Sequence, residues 1–175
     1  MESNNLELKK QQFQLNLLDW FEQNGRDFPW RYTSDPYSIL IAEMMLRRTT
    51  AAAVARVYSE FMIRFNTPQT LAQARITTVE SMVASLGLQN TRAKHLREVA
   101  IHILKEYNGA VPNTLDELVN LPGVGRYVAS AVLNFAFEKS TPLVDGNVLH
   151  LISRVFGLEF KGSYDEKAWI FMGTF

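Results

Sequence analysis

Glu43 is the first residue of this chain whose type and setting could support chemistry. It stands in an otherwise apolar helical stretch, residues 39–46, so its carboxyl group lies either on a narrow solvent-exposed face of the helix or partly buried. Burial raises the pKa of a carboxyl group toward a value useful for proton transfer. A solvated glutamate on an amphipathic helix is the alternative interpretation.

The segment LPGVG at residues 121–125 is the second such place, a tight turn between two predicted helices. Its two glycines let the backbone bend so that successive N–H groups point outward. With the N-terminus of the following helix they form an anion site, for which phosphate is the obvious ligand. Arg126 adds a positive charge directly after the turn. A helix–turn–helix corner that needs glycine only for packing fits the same pattern.

Asp145 is the third, in the segment LVDGNV at residues 143–148. An aspartate at this position caps the N-terminus of a helix, and capping alone would explain it. However, the extended apolar run before it would place Asp145 at the edge of a pocket. The helix dipole and backbone N–H groups keep such a carboxylate ionised, as is needed to stabilise a nearby cation.

The elements that must position these residues are all helical, and we predict an all-α fold with short loops. Capping boxes are predicted at residues 114–117 and 163–166, and residues 141–144 are predicted to be extended. Helices are predicted over residues 5–24, 36–48, 51–65, 67–73, 77–86, 91–107, 114–120, 126–138 and 145–156, with a last one from the second capping box.

Composition excludes several kinds of site. The 175 residues include no cysteine, which rules out disulfides, thiolate zinc sites, cysteine-ligated iron–sulfur clusters and a cysteine nucleophile. The three histidines lack ligand spacing, so no metal site is expected. No apolar run reaches the ~18 residues of a membrane span, and the N-terminus is polar. We therefore expect no membrane association and an intracellular protein of the cytoplasm or nucleoid, prokaryotic in type.

Charge is distributed unevenly although the net charge is zero. Residues 44–105 contain nine basic and three acidic residues. Such a stretch is typical of a surface that faces a polyanion, and also of ordinary solvated helix faces.

Five sequence blocks occur in order along the chain. They are FPWR at 28–31, DPY…AEMMLRRTT at 35–50, LGLQNTRAKHL at 86–96, LPGVGRYVASAVL at 121–133 and VDGNV at 144–148. Together they resemble the helix-hairpin-helix (HhH-GPD) DNA glycosylase superfamily, which includes endonuclease III and the adenine glycosylases. The resemblance covers residues 25–158. Within the superfamily, residues 45–50 and 125–127 are most similar to archaeal-type thymine-DNA glycosylases that act on T:G and U:G mismatches.

The resemblance implies two helical lobes and base excision from double-stranded DNA that contains a mismatch or damaged base. One domain with the helix-hairpin-helix would span residues 25–140, and residues 1–24 plus 141–175 would form part of a second lobe. The target nucleotide would be flipped out of the duplex, because its C1′ is otherwise inaccessible. We expect a monomer.

Catalytic roles follow from the resemblance. Asp145 would stabilise the oxocarbenium-like sugar, and Glu43 would bond the extruded base or position the attacking water. Tyr127 would line the base pocket. Bifunctional relatives carry a lysine at that position, and a phenol cannot form an imine, so we expect a monofunctional glycosylase that leaves an abasic site.

DNA-binding roles follow in the same way. Leu88 would be one wedge at the lesion, although a hydrophobic contact at a helix C-terminus is an equal alternative. Arg48 would be the other wedge and would donate hydrogen bonds to the orphan guanine. A backbone phosphate would be held at the hairpin, with a monovalent cation bridging carbonyls and phosphate. The residues expected to hold phosphate are Gly123, Gly125 and Arg126, and Arg47 and Gln89 complete the predicted DNA contacts.

The chain departs from the family in one respect. Most relatives of this type end with four cysteines that bind a four-iron four-sulfur cluster, which this chain lacks. We therefore expect a truncated second lobe, reduced stability and a tendency to self-associate.

Two other functions stay open. One is removal of adenine opposite oxidised guanine; against it, those enzymes typically have glutamines at the positions of Arg47 and Arg48 and a serine at that of Tyr127. The other is a non-catalytic DNA-binding module, which would need neither Glu43 nor Asp145.

Overall fold

A computed structural model describes residues 2–175 of the chain, with side chains described from Asn5 onward. Within that range the structure contains ten α-helices and no β-strand, which confirms the all-α prediction. The helices are Glu2–Asn24 (α1), Pro36–Leu46 (α2), Ala51–Arg64 (α3), Pro68–Ala72 (α4), Ile76–Val83 (α5), Gln89–Tyr107 (α6), Leu115–Val119 (α7), Arg126–Phe137 (α8), Gly146–Phe156 (α9) and Glu166–Met172 (α10).

Most helices begin where their capping residues predict. Asp35 accepts a hydrogen bond from the Ser38 backbone N–H at 2.8 Å, and Pro36 occupies the first helical position of α2. Thr114 caps α7 in the same way. Side-chain caps of this kind satisfy backbone donors that the first helical turn leaves unpaired.

Several predicted boundaries differ from the observed ones by one to three residues, and two of the differences have a local cause. α2 ends at Leu46 rather than Arg48, because the backbone of Arg47 is already extended, with φ −63° and ψ 122°, and Arg48 follows in a left-handed conformation with φ +54°. The predicted capping box headed by Ser163 does not form, since Asp165 is the cap of α10. The carboxylate of Asp165 accepts backbone hydrogen bonds from Lys161 and Lys167, at 2.9 and 3.0 Å, and so satisfies donors on both sides of the turn.

Two separate hydrophobic cores hold the helices. The larger is built from α2 to α8, and fully buried residues such as Leu40 and Phe61 lie in it. The smaller joins α9 to α10 through Ile152 and Trp169. The division into domains at residues 25–140 stays a prediction, and these two cores are the observation that supports it.

α1 lies against the smaller core but leaves much of its apolar surface uncovered. Phe13 packs edge-to-face on Phe156 at 5.6 Å between ring centroids. In contrast, Leu8, Leu18 and Trp20 are each more than half exposed. The expected self-association stays a prediction. In the described part of the chain, none of the helices has the length and apolar character that crossing a membrane requires.

Candidate active site and DNA-binding surface

Glu43 lies in the middle of α2, between the buried residues Ala42 and Met44, and is itself only 7% exposed. Burial, and next the negative charge of Asp145, raise the pKa of its carboxyl group to about 7. A group with this pKa exchanges protons readily near neutral pH. The structure thus selects the buried interpretation of Glu43 over the solvated one.

Tyr127 is the second residue of α8, which packs against α2. Burial raises the pKa of its phenol above the usual value, and the charges of Glu43 and Asp145 add to the effect. Each of these three side chains therefore lies within electrostatic reach of the others. The fold brings them together although they are far apart in sequence.

Asp145 caps α9, as its sequence position predicts. One carboxylate oxygen accepts the Val148 backbone N–H at 2.8 Å, and the other accepts the Asn147 side-chain amide at 3.1 Å. These bonds fix the direction of the carboxylate while the residue stays only half-buried. Capping and an active-site role are therefore compatible in this residue.

A cavity of about 260 Å³ opens beside Tyr127, whereas Glu43 and Asp145 are near it but do not line it. Tyr127 and Val144 line it, and Val144 directly precedes Asp145. Tyr164 and Trp169 line it as well, so α8, α10 and the segments before α9 and α10 all contribute to its walls. The space is far larger than the roughly 30 Å³ that one water molecule occupies.

The predicted hairpin is present, with α7 and α8 joined by the turn at residues 120–125. Gly123 has φ +75°, and a Cβ there would lie 3.0 Å from the His95 ring, so two independent constraints require glycine. At Gly125, by contrast, a Cβ would meet nothing within 4 Å among the described residues. The backbone at the start of α8 is therefore open to a close approach by a ligand.

Arg126, predicted to contact phosphate, already has partners. Its guanidinium makes two hydrogen bonds to Glu166 of α10, at 2.6 and 3.3 Å, and lies 4.1 Å above the Trp169 ring. Phosphate binding by Arg126 stays a prediction and would require exchange of Glu166. No sequence pattern indicates this pair, because its members are 40 residues apart.

Arg47 is exposed and lines the 260 Å³ cavity. Its Nη1 donates a hydrogen bond to the Gly123 carbonyl at 2.8 Å, which links the end of α2 to the hairpin. A guanidinium thus lies at a carbonyl of the turn where a monovalent cation was predicted, so the turn as it stands does not favour that cation. The monovalent cation stays a prediction.

The two predicted wedges share an uncommon backbone conformation. Arg48 and Leu88 have φ +54° and φ +53°, and both side chains are exposed. They line a second cavity of about 200 Å³, together with Arg47 and His95. Left-handed residues other than glycine often occur at functional sites, where surrounding structure holds them. Gln89 follows Leu88 as the first residue of α6 and is also exposed.

Sequence reasoning missed Arg92, which it counted only as one basic residue among nine. This arginine is 6% exposed and its guanidinium contacts several backbone carbonyls near both wedges. Its place in the block LGLQNTRAKHL was the only sequence signal, and the block does not show which way the side chain points.

The chain is similar in sequence to several DNA glycosylases. The chain is 43% identical to a thymine-DNA glycosylase of Aeropyrum pernix, over 87% of this chain and 70% of that protein. It is 37% identical to a thymine/uracil-DNA glycosylase of Methanothermobacter thermautotrophicus, over 91% of this chain and 73% of that protein. An adenine DNA glycosylase of Mycobacterium tuberculosis is 40% identical over 79% of this chain, which spans only 46% of that relative.

Solved structures of DNA glycosylases share the fold of this chain. The structure of a thermostable thymine-DNA glycosylase superposes with a TM-score of 0.89 and 32% identity, covering 97% of this chain and 79% of that one. A non-covalent endonuclease III–DNA complex shares the fold, with a TM-score of 0.76 and 24% identity over 94% of this chain and 82% of that one. Residues 41–169 match the family described as HhH-GPD superfamily base excision DNA repair protein. The chain belongs to this superfamily and is a DNA glycosylase of base excision repair.

Proposed function

We propose that this glycosylase is monofunctional and hydrolyses the N-glycosidic bond of thymine or uracil mispaired with guanine. The observation that carries the proposal is the grouping of two carboxyl groups, Glu43 and Asp145, around Tyr127 beside a cavity. Relatives named for thymine and uracil match most of the chain and support the choice of base.

Base extrusion comes first in the proposed mechanism. A mismatched nucleotide leaves the stack at lower cost than a paired one, which is part of the selectivity. Leu88 and Arg48 enter the duplex from the two exposed left-handed turns. The Arg48 guanidinium then donates to the orphan guanine, whose O6 and N7 suit an arginine.

Hydrolysis follows in the 260 Å³ cavity, with Tyr127 against the extruded pyrimidine. The N-glycosidic bond breaks and its electron pair stays on the base nitrogen, while the positive charge that develops on the sugar faces the Asp145 carboxylate. Water adds to C1′, and its proton passes to the Glu43 carboxylate and then to the departing base. A pKa of about 7 lets Glu43 serve both transfers near neutral pH.

We propose monofunctional action because bifunctional relatives attack the sugar with an amine to form an imine, and this site offers no such amine. Tyr127 stands where bifunctional relatives carry lysine, and the sequence has no lysine between Lys105 and Lys139. The Lys139 ammonium is itself bonded to Asn113. The reaction therefore stops at an abasic site with an intact strand.

Contact with the DNA backbone is assigned to the hairpin. The N–H groups at Gly123 and Gly125, with the N-terminus of α8, would face a phosphate across the open space at Gly125. Arg47 adds a positive charge beside the same turn.

Single-turnover cleavage of labelled duplexes tests the proposal. The panel contains T:G, U:G, adenine opposite oxidised guanine, and matched pairs, each with and without an alkali step. We expect strand breaks at T:G and U:G only after alkali. Breaks without alkali would contradict monofunctional action, and cleavage of adenine alone would assign the chain to the other substrate class.

The variant Asp145→Asn separates chemistry from folding. Asparagine caps helices about as well as aspartate, so the thermal melting curve should stay close to wild type. The cleavage rate should fall by about 10²–10³-fold, the usual loss for one electrostatic stabiliser. A variant that cleaves T:G at the wild-type rate would remove Asp145 from the mechanism.

A further inference from the structure

Arg92 is a buried guanidinium on α6, and all of its bonds go to backbone carbonyls. Its side chain shows 6% exposure. The three guanidinium nitrogens of Arg92 donate hydrogen bonds to five carbonyl oxygens. Nη1 donates to Met45 at 2.7 Å and Met44 at 3.1 Å, Nη2 to Arg47 at 2.9 Å and Leu86 at 3.5 Å, and Nε to Gly87 at 3.3 Å.

These carbonyls belong to two segments that carry the wedges. The Arg47 carbonyl is part of the peptide bond that leads into Arg48, and the Gly87 carbonyl is part of the one that leads into Leu88. Arg92 thus binds the chain immediately before each left-handed residue. One planar group fixes the distance and orientation between two turns that are 40 residues apart in sequence.

Carbonyl oxygens, and no carboxylate, hold the Arg92 guanidinium. The ion pairs found among the described residues do not include Arg92. Burial, and next the charge of Arg47, lowers the pKa of its guanidinium, although an arginine stays charged in proteins. Its positive charge lies at the C-terminal end of α2, where the helix dipole favours a cation.

We propose that Arg92 is a positioning residue for base extrusion, which holds Arg48 and Leu88 at the separation that inserting both into one duplex requires. The inference rests on the proposed wedge roles of Arg48 and Leu88 and deepens them. Arg92 does not itself contact DNA. Its contribution is rigidity: two exposed side chains on separately mobile turns would enter the duplex less often in the productive arrangement.

Arg92→Lys is the informative variant, with Arg97→Lys as its matched control. Lysine keeps the charge but has three donors without the planar geometry that spans both turns. Arg97 lies on the same helix, and its buried Nε has no hydrogen-bond partner among the described residues, so the same change there keeps the charge without releasing a turn. Arg92→Met is included but leaves buried carbonyls unpaired, so it is compared only below its melting transition.

Three readouts are taken at a temperature where circular dichroism shows every variant folded. They are affinity for a matched duplex, fluorescence of 2-aminopurine placed beside a T:G or U:G mismatch, and the single-turnover cleavage rate. For Arg92→Lys we expect matched-duplex affinity within about twofold of wild type, since phosphate contacts supply it. The fluorescence increase on binding should be largely lost, and cleavage should slow by about 10²-fold, as a small misplacement can cause.

The control variant should match wild type in all three readouts. The proposal would be overturned, and Arg92 assigned to the scaffold, by any of three results. They are a loss of matched-duplex affinity well beyond twofold, an unchanged fluorescence increase, and failure of Arg92→Lys to fold. The fluorescence does not depend on turnover. If wild type unstacks a mismatch without cleaving it, the proposed function fails while the role of Arg92 is still tested.

Discussion

Glu43 shows how one residue can serve the reaction at the expense of the fold. Its pKa is about 7 in the folded chain against an ordinary value of 4.5. The folded state therefore binds this proton more tightly than the unfolded state does. The stability associated with protonated Glu43 is complete below about 4.5 and is lost as the pH rises to about 7.

The first prediction is that Glu43→Gln stabilises the protein at alkaline pH. The shift from 4.5 to about 7 corresponds to about 3 kcal/mol. The variant should be more stable than wild type by up to that amount above neutral pH, and equally stable well below 4.5. Urea denaturation at both extremes measures the difference. Glu60→Gln, at an exposed position, is the control and should leave the pH dependence unchanged.

The second prediction concerns the pH dependence of cleavage. If the ionised carboxylate accepts the proton of the attacking water, the single-turnover rate rises with pH and levels off above about 7. Glu43→Gln should give a flat profile, with a rate lower by about 10²–10⁴-fold. A rate that falls as the pH rises through this range would instead identify protonated Glu43 as the active form.

At the scale of elements, the sequence predicts most helices because their caps and apolar spacing are local signals. Asp35, Thr114 and Asp145 all cap where expected. What local signals do not predict is the path of the chain after Leu46. Arg48 adopts a left-handed backbone conformation there. The residue before it, Arg47, is bonded through its carbonyl to Arg92 and through its side chain to the hairpin, and both partners are distant in sequence. The helical sequence pattern by itself predicts that α2 continues through Arg47 and Arg48.

The hairpin carries the third prediction. Gly125 has φ −99°, which any residue adopts, and its added Cβ meets no described atom within 4 Å. Gly125→Ala should therefore fold normally, yet a methyl group would separate the turn from a phosphate. We expect DNA affinity to fall by about tenfold and the salt dependence to lose about one phosphate contact. Wild-type binding would show that phosphate does not approach this face.

Gly123→Ala is the matched contrast within the same turn. Its φ of +75° and the His95 ring 3.0 Å from the new Cβ predict a destabilised fold. The loss should be of order 1–3 kcal/mol in thermal or urea unfolding. Comparison of Gly123→Ala with Gly125→Ala separates the effect of glycine on folding stability from its effect on phosphate binding.

For the whole molecule, the features that complete the site join distant parts of the chain. Arg47 binds the hairpin across 76 residues, and Glu166 binds Arg126 across 40. Charge counts along the sequence treat Arg47 and Arg126 as free cations. The fold pairs Arg126 with a carboxylate, while Arg47 is bonded to a carbonyl and keeps its charge, so the cationic surface offered to DNA is smaller than the sequence suggests by one arginine.

The fourth prediction follows from the Arg126–Glu166 pair, which connects the hairpin to α10. Glu166→Gln removes the carboxylate that holds Arg126, so the guanidinium can turn to a phosphate. We expect tighter binding of matched duplex and a log–log salt slope steeper by about one unit, as one additional phosphate contact would give. Glu159→Gln, an exposed acid in the segment before α10, removes the same charge without releasing an arginine. If both variants bind alike, only net charge has changed, and Arg126 acts as a link between the lobes rather than as a DNA contact.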